Sequence, residues 1–191
     1  TTGPWYLSIS SLRNGYLDLS ESAHLSEKDW PRWTRRVSVQ PGDTLFSYET
    51  RLGEAAFWKL REPAALGRRM GLLRPRNDVV DARFLTYAYL GPFFQQQIER
   101  RAIRGATVDR IPIGEMPQWP IMVPSLPVQR RIAAVLGALD DLIETNERLT
   151  AHLLAMVLNV FESRFGSRSL GPSVGDLCLV SDCLHSKKPT R

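Results

Sequence analysis

Cysteine is scarce in this chain of 191 residues: Cys178 and Cys183 are the whole complement, close together near the end. A pair so few and so local cannot staple a small secreted fold, and a reducing cytoplasm is the simpler reading. With His185 the two form a C-x4-C-x-H string. Three ligands at that spacing fall short of a zinc pattern, so two small thiols and a loop histidine are expected, with no metal. Long apolar runs are missing as well. Leu85 to Phe94 and Ile132 to Leu139 are interrupted or amphipathic, and no stretch could span a hydrocarbon core. The opening Thr1-Thr2-Gly3-Pro4-Trp5 has no basic region followed by an apolar one, so no signal peptide is read there, and the missing initiator Met points to a trimmed or rearranged terminus. Catalytic signatures are absent too. There is no glycine-rich cofactor turn after a strand, no N/D-P-P-Y/F string and no E-x-K string. His24, His152 and His185 lack motif-like surroundings and read as surface or structural histidines. The chain is therefore expected to be no enzyme and to carry no cofactor.

Lysine is also rare, at 4 residues, whereas arginine reaches 21 and gives a net charge of +5. Arginine can grip phosphate or guanine with two parallel donors, although a GC-rich genome would produce the same bias. The distribution says more than the total. Between Arg61 and Arg110 there are ten arginines against five acids, an excess equal to that of the whole chain. In the spacer after Ser125 the charges balance, Arg130, Arg131, Arg148, Arg164 and Arg168 offsetting Asp140, Asp141, Glu144, Glu147 and Glu162, so the basic surface belongs to the globular part. Hydrophobic residues at 43% and charged ones at 24% fit a globular protein with one core and an appendage.

From Trp5 to about Pro124 short apolar patches are punctuated by Gly, Pro, Asn and Asp, the texture of strands and loops with a helix or two. Tyr6 to Ser10 alternates like a strand and runs through Arg13-Asn14-Gly15, a hairpin signal, into Tyr16 to Leu19. A second strand pair is expected from Thr44-Leu45-Phe46-Ser47, returning as Ala55 to Trp58, with Tyr48 to Leu52 projecting between them. Asp81 to Arg104 has helical spacing broken by Gly91-Pro92, and Val108 to Ile113 and Ile121 to Val123 read as strands.

After Pro124 the character changes. Val128, Ile132, Val135, Leu139, Leu142, Asn146, Leu149, Leu153, Met156 and Val160 come at alternating steps of four and three, which predicts a coiled-coil seam. Only Gly137 interrupts it, at a cost of roughly 1 kcal/mol against alanine. The run from Pro127 to Phe165 would be a rod of roughly 58 Å, too long to bury its stripe on one small domain, so a second helix from elsewhere is expected. Asn146 either fixes register in that seam or faces solvent at a kink. The expected organisation is an α+β globule over 1–124, a long spacer helix over 125–166, and a segment 167–191, with a strand candidate at Leu177 to Val180, that returns to complete the globule.

Pro124-Ser125-Leu126-Pro127-Val128-Gln129-Arg130-Arg131-Ile132, leading into Leu136-Gly137-Ala138-Leu139-Asp140-Asp141-Leu142-Ile143, resembles the signature P-x-L-x-x-Q-x-x-I-x-x-x-L-x-x-L-D-x-x-I. That signature opens the spacer helix of type I restriction-modification specificity subunits. Pro41 to Ser47 together with Gly53 to Ala56 resembles the family's G-D-x-L-F-S strand and turn. Arg83 to Tyr87 and Arg104 to Thr107 occupy the places of its "fL-x-y" helix and G-x-T turn. Full-length members carry two recognition domains and two spacer helices; this chain has one of each. Val180 to Pro189 is similar to the start of a recognition domain and Gly3 to Leu7 to the stretch just after that start, so the order reads as half-length or circularly permuted.

The resemblance implies a cytoplasmic, non-catalytic subunit that reads half of a split DNA target. It implies a homodimer through the seam residues, methyltransferase subunits clamped around the spacer, and a motor-nuclease subunit for cleavage. Candidate DNA contacts are Arg13 and Asn14 at the hairpin tip, Tyr48 and Arg51 in the projecting loop, Arg68 and Arg69 in a basic turn, and Lys187 and Lys188. For any one of them the alternative is a solvated surface charge, and it is as a group that they point to DNA. The competing readings are a DNA-independent coiled-coil scaffold and a stand-alone DNA-modifying enzyme.

Overall fold

A computed structural model describes residues 3–105 and 107–166, together with 171, 173 and 177. The strand expected at Leu177 to Val180, the return of 167–191 to the globule, and Cys178, Cys183, His185, Lys187 and Lys188 therefore lie outside the described residues, Leu177 excepted. The chain divides into two compact units, Thr1–Asp140 and Asp141–Arg191.

Among its described residues the first unit holds eight short strands, β1 (Trp5–Leu7), β2 (Leu12–Arg13), β3 (Tyr16–Leu17), β4 (Ala23–His24), β5 (Thr44–Ser47), β6 (Ala55–Phe57), β7 (Ala64–Leu66) and β8 (Met70–Leu73). The helix α1 (Trp30–Trp33) lies between β4 and β5, and α2 (Ala82–Leu90) and α3 (Pro92–Arg101) come after β8. The 40-residue helix α4 (Leu126–Phe165) begins in this unit, and the unit boundary falls inside it. This is the expected α+β class with a long final helix.

Three small sheets organise the globule. β1 pairs antiparallel with β4 and parallel with β7, β2 and β3 form a hairpin, and β5 is central between β6 and β8 with both partners antiparallel. All four residues of β5 are buried. Side chains alternate across a strand, so Leu45 enters a core with Leu7, Leu12, Trp58 and Met70, while Phe46 enters another with Tyr89, Phe94, Ile98 and Trp119. Gly71 lies opposite Phe46, and a Cβ there would come within 2.6 Å of the ring, so the aromatic needs the glycine. Asp81 caps α2 by accepting from the N–H groups of Arg83 and Phe84, and Gly91-Pro92 separates α2 from α3 as the sequence suggested.

The structure corrects three expectations and adds two strands. Tyr6 to Ser10 is not a continuous strand: β1 stops at Leu7 and residues 9–11 form a 3-10 turn closed by reciprocal bonds between Ser8 and Ser11. Serine hydroxyls offered the backbone a local alternative to the ladder. The hairpin is therefore built by β2 and β3 around Asn14 and Gly15, both with positive φ. Val108 to Ile113 makes only isolated bridges, Ile103 to Arg110 and Glu49 to Arg110, and Pro112 supplies no N–H to extend them. Ile121 to Val123, between Pro120 and Pro124, forms no strand. β7 and β8 escaped the sequence reading because Ala-Ala-Leu and Met-Gly-Leu-Leu lack alternation; in β7 two successive residues are buried, and β8 is buried at Met70 and half-buried at the rest.

The beginning of α4 docks on its own globule by a face other than the apolar seam. Gln129, Ala133 and Gly137 are its buried residues, spaced four apart on one side. Val128 and Ile132 are half-buried, whereas Val135 and Leu139 are exposed.

At the start of β5, Asp43 is 1% exposed and accepts two bonds from Arg74, from Nε at 2.9 Å and from Nη2 at 2.8 Å, as well as one from the Gln40 N–H at 2.8 Å. The Arg74 guanidinium is held above its ordinary pKa by that bond to Asp43. Removing one partner leaves a buried carboxylate without its cation, so Arg74→Ala should lower the free energy of unfolding by about 2 kcal/mol in a urea titration. A loss below about 0.5 kcal/mol would class the pair with ordinary surface ion pairs.

Candidate nucleic-acid interface

The register of the central sheet decides which loops meet. Ser47 ends β5 opposite Met70, which opens β8, so the 48–53 loop and the 67–69 turn leave the sheet at the same end. The Tyr48 N–H donates to the Arg69 carbonyl at 3.0 Å, and the Gly67 N–H donates to the Leu7 carbonyl at 2.7 Å. A third segment closes over the loop: the Thr50 N–H donates to the Asp109 carbonyl at 3.2 Å and the Ile111 N–H to the Tyr48 carbonyl at 2.8 Å. Three stretches far apart in sequence thus form one surface at one end of the sheet.

That surface contains backbone held in an unfavourable region. Thr50 has φ 68° and Arg69 φ 71°. A β-branched residue with positive φ is a genuine outlier, and each such residue costs about 1–3 kcal/mol, sustained only where surrounding bonds over-determine it. Such strain gathers at ligand-contacting loops. Beside the loop, a cleft of ≈ 530 Å³ is lined by Thr50, Leu52, Gln95, Gln96, Glu99 and Arg104 among others. Gln95 fixes its floor by donating to the Gly53 carbonyl at 3.1 Å and the Tyr89 carbonyl at 2.9 Å.

The candidate contacts fare differently within this frame. Arg51 is held from two sides: Nη1 donates to the Ile9 carbonyl at 2.9 Å and Nη2 pairs with Glu54 at 2.6 Å. It braces the loop. Tyr48 is half-buried against the core that holds Phe46. Arg69 is exposed and pairs loosely with Glu49 at 3.3 Å. Arg68 is exposed and has no carboxylate partner among the described residues. Arg13 and Asn14 are exposed at the hairpin tip, with Arg13 Nε 3.2 Å from Asp18 and the neighbouring Gly15 facing the end of α2 at Leu90.

Sequence reasoning missed Arg110 and the role of the 103–111 segment. Arg110 is exposed and without a carboxylate partner among the described residues, while Arg104 pairs with Asp109 at 2.9 Å. The signal available was the Arg104 to Thr107 turn itself, which marks a loop but not its neighbour. The bare cations at this end are thus Arg68 and Arg110, with Arg69 loosely paired. They offer exposed guanidinium donors suited to phosphate oxygens or to a guanine edge.

In the second unit α4 presents an apolar stripe. Leu142, Leu149, Leu153, Met156 and Val160 are each more than half exposed, and Asn146 among them is exposed. Ile143, Leu154, Val157 and Phe161 widen the stripe. Among the described residues no group of three or more His, Cys, Asp and Glu could hold a metal, and no helix is long and apolar enough to cross a membrane.

Residues 36–155 match the family model described as the type I restriction modification DNA specificity domain. The HsdS subunit from Thermoanaerobacter tengcongensis has a similar fold, with a TM-score of 0.56 at 18% identity, over 89% of this chain and 46% of that one. A second similar structure, described as the structural basis of complex assembly and conformational transition of the type I R-M system, gives a TM-score of 0.51 at 20% identity, over 85% of this chain and 37% of that one. The chain thus spans less than half the length of either. No curated protein matches it.

The two arginines of the loop end should separate in a thermal melt. Arg51→Ala removes bonds to Ile9 and Glu54 and should cost about 1 kcal/mol of stability. Arg69→Asn, which keeps a residue tolerant of positive φ, should change stability by less than about 0.5 kcal/mol. Equal effects would mean that Arg51 does not brace the loop.

Proposed function

Because the chain belongs to the family of type I restriction modification DNA specificity domains, we propose that it is the DNA-reading, non-catalytic subunit of such a system and that it reads one half of a split target. The observation that carries this reading is the convergence of the 48–53 loop, the 67–69 turn and the 103–111 segment at one end of the sheet, with Arg68 and Arg110 bare and Arg69 only loosely paired. Cationic side chains on such a surface hold phosphates and set the register, while loop side chains reach base edges in the major groove.

The exposed stripe of α4 supplies the second part of the reading. Contiguous apolar surface of this kind marks an interaction site. A second copy of the chain would cover it, giving a two-fold reader of a palindromic split site. Methyltransferase subunits would grip the same helices, and a motor-nuclease subunit would supply cleavage. The same proposal assigns recognition of DNA to 1–124 and spacing and dimerisation to 125–166, with 167–191 assigned to the recognition domain. A scaffold that joins proteins without touching DNA would need the stripe but not the bare arginines.

Titrating the full chain against duplex DNA over a salt series tests the reading. Binding should weaken as salt rises, with a log–log slope near −0.9 for each phosphate neutralised. Arg68→Ala and Arg110→Ala should each reduce that slope by about one. Sedimentation should give a dimer that Leu149→Glu converts to monomer. Intact dimerisation without salt-sensitive DNA binding would leave the scaffold standing instead.

A further inference from the structure

Side-chain hydrogen bonds join α2 and its N-cap to the first turns of α4 at more than one point. Gln129 is 1% exposed, and all its polar groups are engaged with backbone of the globule or of the entry to α4. Its Oε1 accepts from the Asp81 N–H at 2.9 Å, and its Nε2 donates to the Pro124 carbonyl at 2.8 Å and the Val79 carbonyl at 3.2 Å. Two turns on, Gly137 lets the Arg83 guanidinium lie flat on the helix: a Cβ there would come within 2.6–2.8 Å of three of its atoms. Arg83 Nη2 donates to the Gly137 carbonyl at 3.0 Å and Nε donates to the Tyr87 hydroxyl at 3.2 Å. Tyr87 in turn donates to Asp140. Burial, then the bond to Asp140, push the Tyr87 hydroxyl up to about 12, so it remains a donor at neutral pH.

These bonds act at three levels along the helix, at Gln129, Gly137 and Asp140. One contact would permit α4 to roll or tilt on α2; three spaced along the first turns oppose both motions. We propose that this joint is a positioning device for DNA recognition: Arg83, Gly137 and Gln129 fix the orientation of α4 on the recognition globule, and thereby restrict the gap that a split target can have. The inference rests on the reading of the chain as half of a two-part DNA reader. If the joint is stiff, a wrong gap must be absorbed by twisting or bending the DNA, which is costly over such short lengths. If the joint is loosened, the protein absorbs it.

Gly137→Ala separates orientation from folding. Alanine favours the helix over glycine, and the atoms it displaces belong to a long flexible side chain, so the fold should survive while Arg83 is expelled. The full chain is first used to select a split target from a library of randomised duplexes. Affinity is then measured on duplexes whose gap is one or two base pairs shorter or longer, and on an isolated half-site. The wild-type chain should lose about tenfold or more in affinity for each base pair of gap change. Gly137→Ala and Arg83→Gln should lose less than about threefold, with half-site affinity and melting temperature essentially those of wild type. Gap profiles identical to wild type in both variants would overturn the inference while leaving the reader intact. Failure of the wild-type chain to enrich any split sequence would overturn both. A loss of half-site affinity as large as that on the full target would also sink the inference, because the joint would then shape the recognition surface itself.

Discussion

A buried amide has to satisfy one acceptor and two donor positions, and Gln129 does so entirely with main-chain groups. The Asp81 N–H precedes α2, the Val79 carbonyl lies just before it, and the Pro124 carbonyl lies just before α4. Each of those groups stands at the edge of an element, where the regular ladder leaves backbone unpaired. The long helix is thus attached through hydrogen bonds that the globule needs in any case, and not through a hydrophobic plug. The next side chains on the same face are small, Ala133 and Gly137, and at Gly137 the space is taken by the Arg83 side chain from α2. Attachment by this face leaves Val135, Leu139 and the stripe beyond them outside.

That division of faces explains what could and could not be read from the chain. Steps of four and three from Val128 to Val160 announced a helix and an apolar seam, and α4 runs as one helix from Leu126 to Phe165. The docking face was invisible to the same test because its fully buried positions, Gln129, Ala133 and Gly137, include no large apolar residue. Gly137 looked like an imperfection of the helix; its neighbour Arg83, fifty-four positions earlier, gives it a reason. Pairings of that range leave no periodic trace. The Asn14-Gly15 hairpin, the β5–β6 pair and the break at Gly91-Pro92 were legible because their determinants are local. β7 and β8 were not, since burial among neighbours replaced alternation, and the serine-rich turn after β1 competed successfully with a strand that alternation favoured.

The candidate interface was legible as a composition and not as a geometry. An excess of arginine between Arg61 and Arg110 located the charge, but charge alone does not separate a reader from a brace. Arg51 and Arg68 looked alike in the sequence. In the fold one guanidinium is bound by a carbonyl and a carboxylate, and the other is bare. Arg110 entered only because the bridge from Glu49 brings its segment to the loop.

The strained backbone at Thr50 and Arg69 ties these levels together. Neither φ would persist in an isolated loop, because each is disfavoured by the side chain it carries. Thr50 is held by its bond to Asp109, and Arg69 by the bond its carbonyl accepts from Tyr48, so each loop's conformation depends on the other segments being in place. The surface therefore forms as a unit, once β5, β8 and the 103–111 segment have assembled. Exposed side chains of this surface, such as Arg68 and Arg110, can be exchanged without disturbing the two cores on either face of β5, whereas Tyr48 and Leu52 pack against one of those cores. Loops held on a packed scaffold in this way tolerate changes in their exposed side chains more readily than the strands beneath them do.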